Sequence, residues 1–240
     1  MSNWVYIICD ETLKEYVSIM IRSLNIHNDC KVLYNYNGRT DVNIPDNVLL
    51  YDVKDSEWKN KIQLCKIQKI KEMSKNFKEG DKVFILDVDI LVQDNIFKVF
   101  EDDFDIGYTT RHYDYHYPIN GGVWCIRWNE RSKRFIDFFI EQILKPSWKP
   151  LVNFRGRYPR GKNVNWWVDQ DFLCAVYENG GKLPFDCKVR DLGYKYNFCP
   201  SAPDKITYKQ GEKELRDKFG NKEYKILHFK ATMKRLMKEL

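Results

Sequence analysis

The sequence predicts one α/β domain whose central sheet is mixed, mostly parallel and flanked by helices. Three observations carry that prediction. Short apolar runs of strand length alternate with stretches of three- and four-residue apolar spacing, the pattern of parallel strands joined by crossover helices. The 240 residues suit a single domain of that class. Hydrophobic residues make up 43% and charged residues 31%, which excludes disorder, collagen and coiled coil for the whole chain.

The elements follow in order. Trp4–Cys9 is an apolar run bounded by Asp10, the first strand. Leu13, Tyr16, Val17, Met20, Ile21 and Leu24 recur at helical spacing. Lys31–Tyr36 is a second strand, stopped by Asn37-Gly38, and Val48–Val53 is a third. Ile62, Cys65, Ile67, Ile70 and Met73 mark a helix that closes near Gly80. Val83–Leu86 is short, apolar and buried in character, and runs into Asp87. Asp105–Thr110 and Gly122–Trp128 read as strands, Arg131–Leu144 as a helix. Lys145–Asn165, with Pro146, Pro150, Gly156, Pro159 and Gly161, reads as a long irregular loop. Asp169–Glu178 is a helix ended by Gly180-Gly181, Lys225–Phe229 a late strand, and Met233–Leu240 a basic helix. No internal repeat or low-complexity linker divides the chain.

Composition narrows the functional class. The formal charge of +6 permits an anionic ligand but does not demand nucleic acid. The seven cysteines form no C-x-x-C pair, so zinc is not expected and free thiols in a reducing compartment are. No apolar run reaches the roughly 20 residues of a membrane span, and the first residues lack the pattern of a secretion signal. A cytoplasmic protein is the expectation.

The sharpest feature is Ile85-Leu86-Asp87-Val88-Asp89, two carboxylates directly behind a buried strand. Ligands of open α/β sheets bind beyond the carboxyl ends of the strands. An acidic pair without cysteine suits a hard divalent cation such as Mg²⁺ or Mn²⁺. The alternative is a polar strand end in which an Asp caps the next element. Extended geometry would point both side chains one way; a turn would splay them. Haloacid-dehalogenase-like phosphatases carry such a pair, with the first Asp, here Asp87, as nucleophile. Their pair lies on the first strand, whereas Asp87 comes after several strand–helix units.

The order of motifs carries a resemblance. After Asp87-Val88-Asp89 come Asn120-Gly121-Gly122-Val123, then Asp169-Gln170-Asp171 opening a helix, then His228-Phe229-Lys230. This order resembles GT-A glycosyltransferases, most closely family 8, across residues 4–230. The resemblance implies a GT-A-like (Rossmann-like) domain with a nucleotide-binding half (1–111) and an acceptor-side half (112–240). It implies a metal-dependent, retaining transfer of a hexose or deoxyhexose from a UDP-sugar to a hydroxyl of a glycan, protein or lipid. A sugar-binding protein without catalysis is a third reading.

The same resemblance assigns roles. Asp87, Asp89 and His228 ligate the metal, and the imidazole tilts preference toward Mn²⁺. Ile8, Cys9 and Asp10 hold the nucleoside, although Asp10 reads equally as a helix N-cap. Lys66 contacts the donor or lies on a solvated helix face. Val88, Arg111 and Lys230 contact the donor, with Ala231 standing where the family has Gly. Asn120, Gly121 and Gly122 meet the donor sugar. Asp169 binds its hydroxyls and Gln170 lies beside the reacting carbon, the two catalytic candidates; were the reaction inverting, Asp169 or Asp171 would be the base. Asp171 supports either or is structural. Aromatics from His112 to Tyr117, with Trp148, Trp166 and Trp167, offer an acceptor wall. The basic end is a docked helix or a weak membrane-surface contact.

Overall fold

β1 (Asn3–Asp10) lies inside the sheet because both of its faces are apolar. Trp4, Tyr6 and Ile8 point one way and Val5, Ile7 and Cys9 the other, all buried. The structure, a computed structural model, describes residues 1–38, 44–53, 62–112, 117–144, 168–200 and 208–240. β2 (Lys31–Asn37) and β4 (Lys82–Leu86) flank β1 in parallel, and β3 (Val48–Asp52) continues parallel beyond β2. β7 (Ile119–Arg127) runs antiparallel between β4 and β6 (Ile106–Thr110), and β8 (Val189–Asp191) closes the edge parallel to β6. The seven-stranded order is β3-β2-β1-β4-β7-β6-β8. The sheet is therefore mixed and mostly parallel, as the sequence predicts.

Helices cover both faces. α1 (Lys14–His27) lays Val17, Met20, Ile21 and Leu24 against Val5, Ile7 and Cys9. The opposite face carries α2 (Ile62–Met73), α3 (Glu130–Leu144) and α4 (Val168–Glu178). A separate antiparallel ribbon pairs β5 (Ile90–Val92) with β9 (Ile226–His228). A third apolar cluster, with Leu91, Leu227, Phe229, Met233 and Leu236, joins this ribbon to the C-terminal segment; α5 (Tyr208–Lys218) adds Leu215.

Several elements differ from expectation. β5, β8, α5 and a 3₁₀ segment over Ile96–Glu101 were not foreseen. The basic end is a 3₁₀ run over Ala231–Lys238, not an α-helix. Its period of three aligns Met233 with Leu236, and both are buried. The irregular stretch 145–165, including Trp148, and the pair Trp166–Trp167 fall outside the described residues. Cys9, Cys30, Cys125, Cys174, Cys187 and Cys199 are free thiols. Among the described residues, no helix is long and apolar enough to cross a membrane.

One charge network fixes the far end of the sheet. Asp105 is buried at the start of β6 and accepts from Arg131 Nε (2.8 Å) and Nη2 (2.9 Å), Asn129 Nδ2 (2.6 Å) and Lys188 N (2.8 Å). It thereby ties β6 to the first turn of α3 and the approach to β8. Burial works against its charge, but the Arg131 hydrogen bonds and the other donors outweigh it and lower its pKa. Asp105→Asn should cost about 2–4 kcal/mol at neutral pH, less than a fully dry pair because Arg131 is partly in water. The folded pKa is depressed, so this stability is present above the usual Asp value of about 3.9 and lost as pH falls through the folded value. Denaturant melts of wild type and variant should begin to draw together as pH falls below about 4 and converge below the folded value. Parallel curves down to acid pH would contradict the network's role.

Candidate functional site

Segments from α2, α4, β7 and β9 meet beyond the carboxyl end of β4. β4 pairs Leu86 with Val123 of β7, and the next amide, Asp87 N, donates to Gly122 O at 2.8 Å. The chain then turns through Asp87–Asp89 into β5, whose Ile90 pairs with His228 of β9. Phe229 N donates to Asp89 O at 2.8 Å and locks that crossing. This topology brings the His228 imidazole over both acids. Its Nε2 lies 3.2 Å from Asp89 Oδ1 and 3.9 Å from Asp87 Oδ2. The two side chains converge; the turn does not splay them.

The donor set fits a divalent cation. One ligand atom from each of Asp87, Asp89 and His228 lies within 4.8 Å of the other two. Two carboxylates and an imidazole suit Mn²⁺ or Mg²⁺. The backbone is shaped around the cluster as well. A Cβ on Gly122 would stand 2.4 Å from His228 Cε1 and 2.5 Å from Asp87 Oδ2. Only the bare glycine lets β7 pass beneath those side chains.

A buried cation stands behind the acids. Lys66 is 2% exposed and lies 3.0 Å from Asp87 Oδ1, 3.7 Å from Asp169 Oδ2 and 3.4 Å from Gly121 O. It is no solvated helix-face lysine. Burial disfavours its charge, yet Asp87 and Asp169 outweigh burial and its pKa is raised. The Asp169 carboxyl is pushed up to about 6, first by burial and then by Asp87, with Lys66 opposing. Burial also disfavours the Asp89 carboxylate, but His228 and Lys234 hold its pKa below the usual range.

α4 closes the other side. Asp169 Oδ1 accepts from Gln170 N at 2.7 Å, and Gln170 Oε1 accepts from Gly121 N at 3.3 Å. Gln170 is buried, and its Nε2 has no hydrogen-bond partner among the described residues. An orphaned buried amide donor is costly and marks a place for a ligand acceptor. Gly121 allows the close approach of β7, since a Cβ there would lie 3.3 Å from Asp169 Oδ2. Asn120 is buried, and its Oδ1 accepts from Gly122 N at 3.1 Å.

The remaining sequence candidates fall around this cluster. Ile8 and Cys9 are buried at the end of β1; Cys9 Sγ lies 3.3 Å from the Tyr34 hydroxyl, and burial pushes its thiol up to about 12. Asp10 Oδ1 accepts from Thr12 N at 3.0 Å and from the Thr12 hydroxyl, which starts the 3₁₀ turn Glu11–Leu13. It does not cap α1, whose N-cap is Leu13. The Val88 side chain is buried in the core beneath α1 and is not available to a ligand. Arg111 Nε donates to Tyr117 O at 2.9 Å. Burial, with Arg111 adding, lowers the pKa of Lys230, which Asp87 and Asp89 oppose. Burial pushes the Asp171 carboxyl up to about 6, and the Tyr117 hydrogen bond opposes it. Tyr117 is itself core, and His112 stacks on Phe198 at 4.8 Å. Tyr113–His116 lie outside the described residues.

Sequence reasoning missed Lys234 and Asn197. Lys234 Nζ sits 2.9 Å from Asp89 Oδ2, inside the cluster. Its signal was masked by a basic, amphipathic surrounding in which Lys234 looks like any surface cation. Asn197 Oδ1 lies 2.9 Å from His228 Nδ1. A single Asn before an aromatic carries no sequence signal for that contact.

No protein-family model matches the sequence, and no curated protein matches it significantly. Solved structures do match. LgtC, a galactosyltransferase crystallised with donor and acceptor sugar analogues, superposes with a TM-score of 0.60 over 98% of this chain and 94% of its own, at 15% identity. A glycosyltransferase involved in glycosylation of the major capsid of PBCV-1 superposes at 0.59 over 100% of both chains, at 14% identity. The chain has a glycosyltransferase fold. A further match is an LgtC variant in which an active-site glutamine is replaced by glutamate, at a TM-score of 0.55 and 15% identity over 98% of this chain and 94% of that one.

Proposed function

We propose that this protein transfers a sugar from a nucleoside diphosphate, most suitably UDP, to a hydroxyl of a glycan, protein or lipid, with a cation held by Asp87, Asp89 and His228. The observation that carries this reading is the convergence of those three side chains beside the orphaned Gln170 amide. When bound, the cation supplies a Lewis acid for the departing diphosphate. The imidazole favours Mn²⁺ over Mg²⁺.

The chain's own residues do the rest. The nucleoside lies along the end of β1 at Ile8–Asp10, in the nucleotide-binding half (1–111); the acceptor-side half (112–240) also lends side chains to the donor. Lys234 and Lys230, with Arg111, place positive charge where the diphosphate leaves. Asn120 and Asp169 take donor-sugar hydroxyls, with Gly121 and Gly122 admitting them closely. Gln170 Nε2 donates to the donor sugar beside its reacting carbon. Asp169 is tied to Lys66 and to Gln170 N, which suits holding rather than proton abstraction and favours retention of configuration. A phosphatase using Asp87 as nucleophile would leave Asn120, Asp169 and Gln170 without a task. A membrane-surface role for the C-terminal segment has less support, because Lys234, Arg235 and Lys238 pair with Asp89, Glu212 and Glu15.

Thermal shift tests the reading. Mn²⁺ plus UDP at about 100 times Kd should stabilise the fold by about 2.7 kcal/mol, or roughly 5–10 °C at this size. Mn²⁺ plus inorganic phosphate should not. Equal shifts from both would favour the phosphatase alternative. Gln170→Ala should leave the UDP shift intact but lower kcat by about 10²-fold, the usual effect of removing one donor to the reacting group. An unchanged kcat would remove Gln170 from the reacting centre.

A further inference from the structure

His228 has two ring nitrogens, and a ligand to a cation needs the lone pair on the one that faces the acids. Which nitrogen carries the proton is decided on the far side of the ring. There, Asn197 Oδ1 lies 2.9 Å from Nδ1. Asn197 is 2% exposed, so this contact is made away from water.

The amide's orientation is set by its other end. Asn197 Nδ2 lies 2.9 Å from Thr109 Oγ1 and 3.4 Å from the backbone carbonyl of Asn120. The Thr109 hydroxyl has two carbonyl acceptors for its single proton, Val123 O at 2.9 Å and Asn120 O at 3.3 Å, and so can accept from Asn197. A flipped amide would set its oxygen against the Asn120 carbonyl oxygen. The nitrogen therefore points to Thr109 and the oxygen to His228, which obliges Nδ1 to donate. Asn120 Nδ2, at 3.4 Å from the same nitrogen, is the longer contact and cannot donate to a protonated Nδ1. The backbone holds the pair in register: Phe198 N donates to Ile226 O at 2.9 Å and His228 N to Phe198 O at 2.8 Å.

We propose that Asn197, oriented by Thr109 and the Asn120 carbonyl, is a positioning residue that fixes the His228 tautomer so that its Nε2 lone pair is available to an ion held with Asp87 and Asp89. The inference rests on the metal reading above and adds a residue that the motifs do not contain. It also accounts for the use of a neutral amide: Asn accepts a hydrogen bond from Nδ1–H without adding a third negative charge beside the acids.

The test is Mn²⁺ binding to the full chain, read by calorimetric titration and by spin-echo modulation from a directly bound imidazole nitrogen. Wild type should bind and show the nitrogen signal. Asn197→Ala should bind about 10–100-fold more weakly, the usual effect of losing such a partner, and lose that signal. Asn197→Asp keeps an acceptor for Nδ1 but sets its second oxygen near the Asn120 carbonyl, so it should bind more tightly than the alanine variant and keep the nitrogen signal without reaching wild-type affinity. Thr109→Val frees the amide to flip and should weaken binding several-fold, and it tests the same chain of contacts if Asn197→Ala does not fold. Wild-type affinity and nitrogen signal in a folded Asn197→Ala would overturn the proposal while leaving the metal reading intact. So would an Asn197→Asp as weak as the alanine variant, which would make Asn197 a packing residue. A wild type that binds no Mn²⁺ would overturn the metal reading and this inference together.

Discussion

Asp89→Asn should reduce sugar transfer by about 10³-fold or more and abolish measurable Mn²⁺ binding. The expected rate loss comes from the several kcal/mol that a Lewis acid contributes to a leaving diphosphate, at about 1.36 kcal/mol per factor of ten. The affinity loss comes from position. Asp89 is buried, and one of its oxygens stands 3.2 Å from His228 Nε2 while the other meets Lys234 at 2.9 Å. An amide there removes one anionic ligand and leaves Lys234 unpaired beside the imidazole, so the pocket turns from acidic toward basic. Asp87 cannot compensate, because Lys66 already occupies one of its oxygens at 3.0 Å. The fold should survive, since the Asp89 backbone carbonyl still accepts from Phe229 N and keeps the crossing to β9. Donor hydrolysis rates and calorimetric Mn²⁺ titration check both halves. A variant that keeps the metal but loses activity would move Asp89 from the ligand set to another role.

Gly122→Ala should be nearly as damaging to the site while leaving every polar group in place. The new methyl would lie 2.4 Å from His228 Cε1 and 2.5 Å from Asp87 Oδ2, well inside contact distance. Neither neighbour yields cheaply. His228 is held by Asn197 on one side and by β9 pairing with β5 on the other, and Asp87 is held by Lys66. The ligands must therefore separate. Mn²⁺ affinity should fall by about 10²-fold or more if both lose their approach to the ion, and overpacking should cost about 1–3 kcal/mol of stability. Gly121→Ala is the internal control. Its methyl would meet the Asp169 carboxylate first, at 3.3 Å, so metal affinity should be retained and donor-sugar binding should suffer first. Equal metal loss in both variants would point to general disruption of β7 instead of a ligand clash.

The features legible in the sequence share a physical cause. β1 and β4 are apolar on both faces, which only the inside of a covered sheet permits, so their place could be read directly. Asp87 and Asp89 stood out because carboxylates seldom abut such a strand without a compensating charge. The compensation includes Lys66, reaching across from α2. Its periodicity placed it on a helix but gave no sign that the helix turns that lysine inward. α5 was invisible because it is almost wholly polar; among its described side chains Leu215 is the one apolar residue buried, so no apolar stripe forms. β5 and β8 are three residues long, too short for alternation to register. Yet β5 decides the site, because its pairing with β9 carries His228 over the acids. Lys234 and Asn197 lie far along the chain from the residues they touch. Long-range contacts made by common polar residues leave no local pattern, so those parts of the site needed the fold.

A crystal soaked with Mn²⁺ and UDP would place or refuse the ion outright. An anomalous peak should appear bounded by Asp87, Asp89 and His228 Nε2, with diphosphate oxygens completing its coordination and Lys234 drawn toward them. Nucleotide bound without an ion in that corner, or an ion ligated elsewhere, would contradict the metal reading.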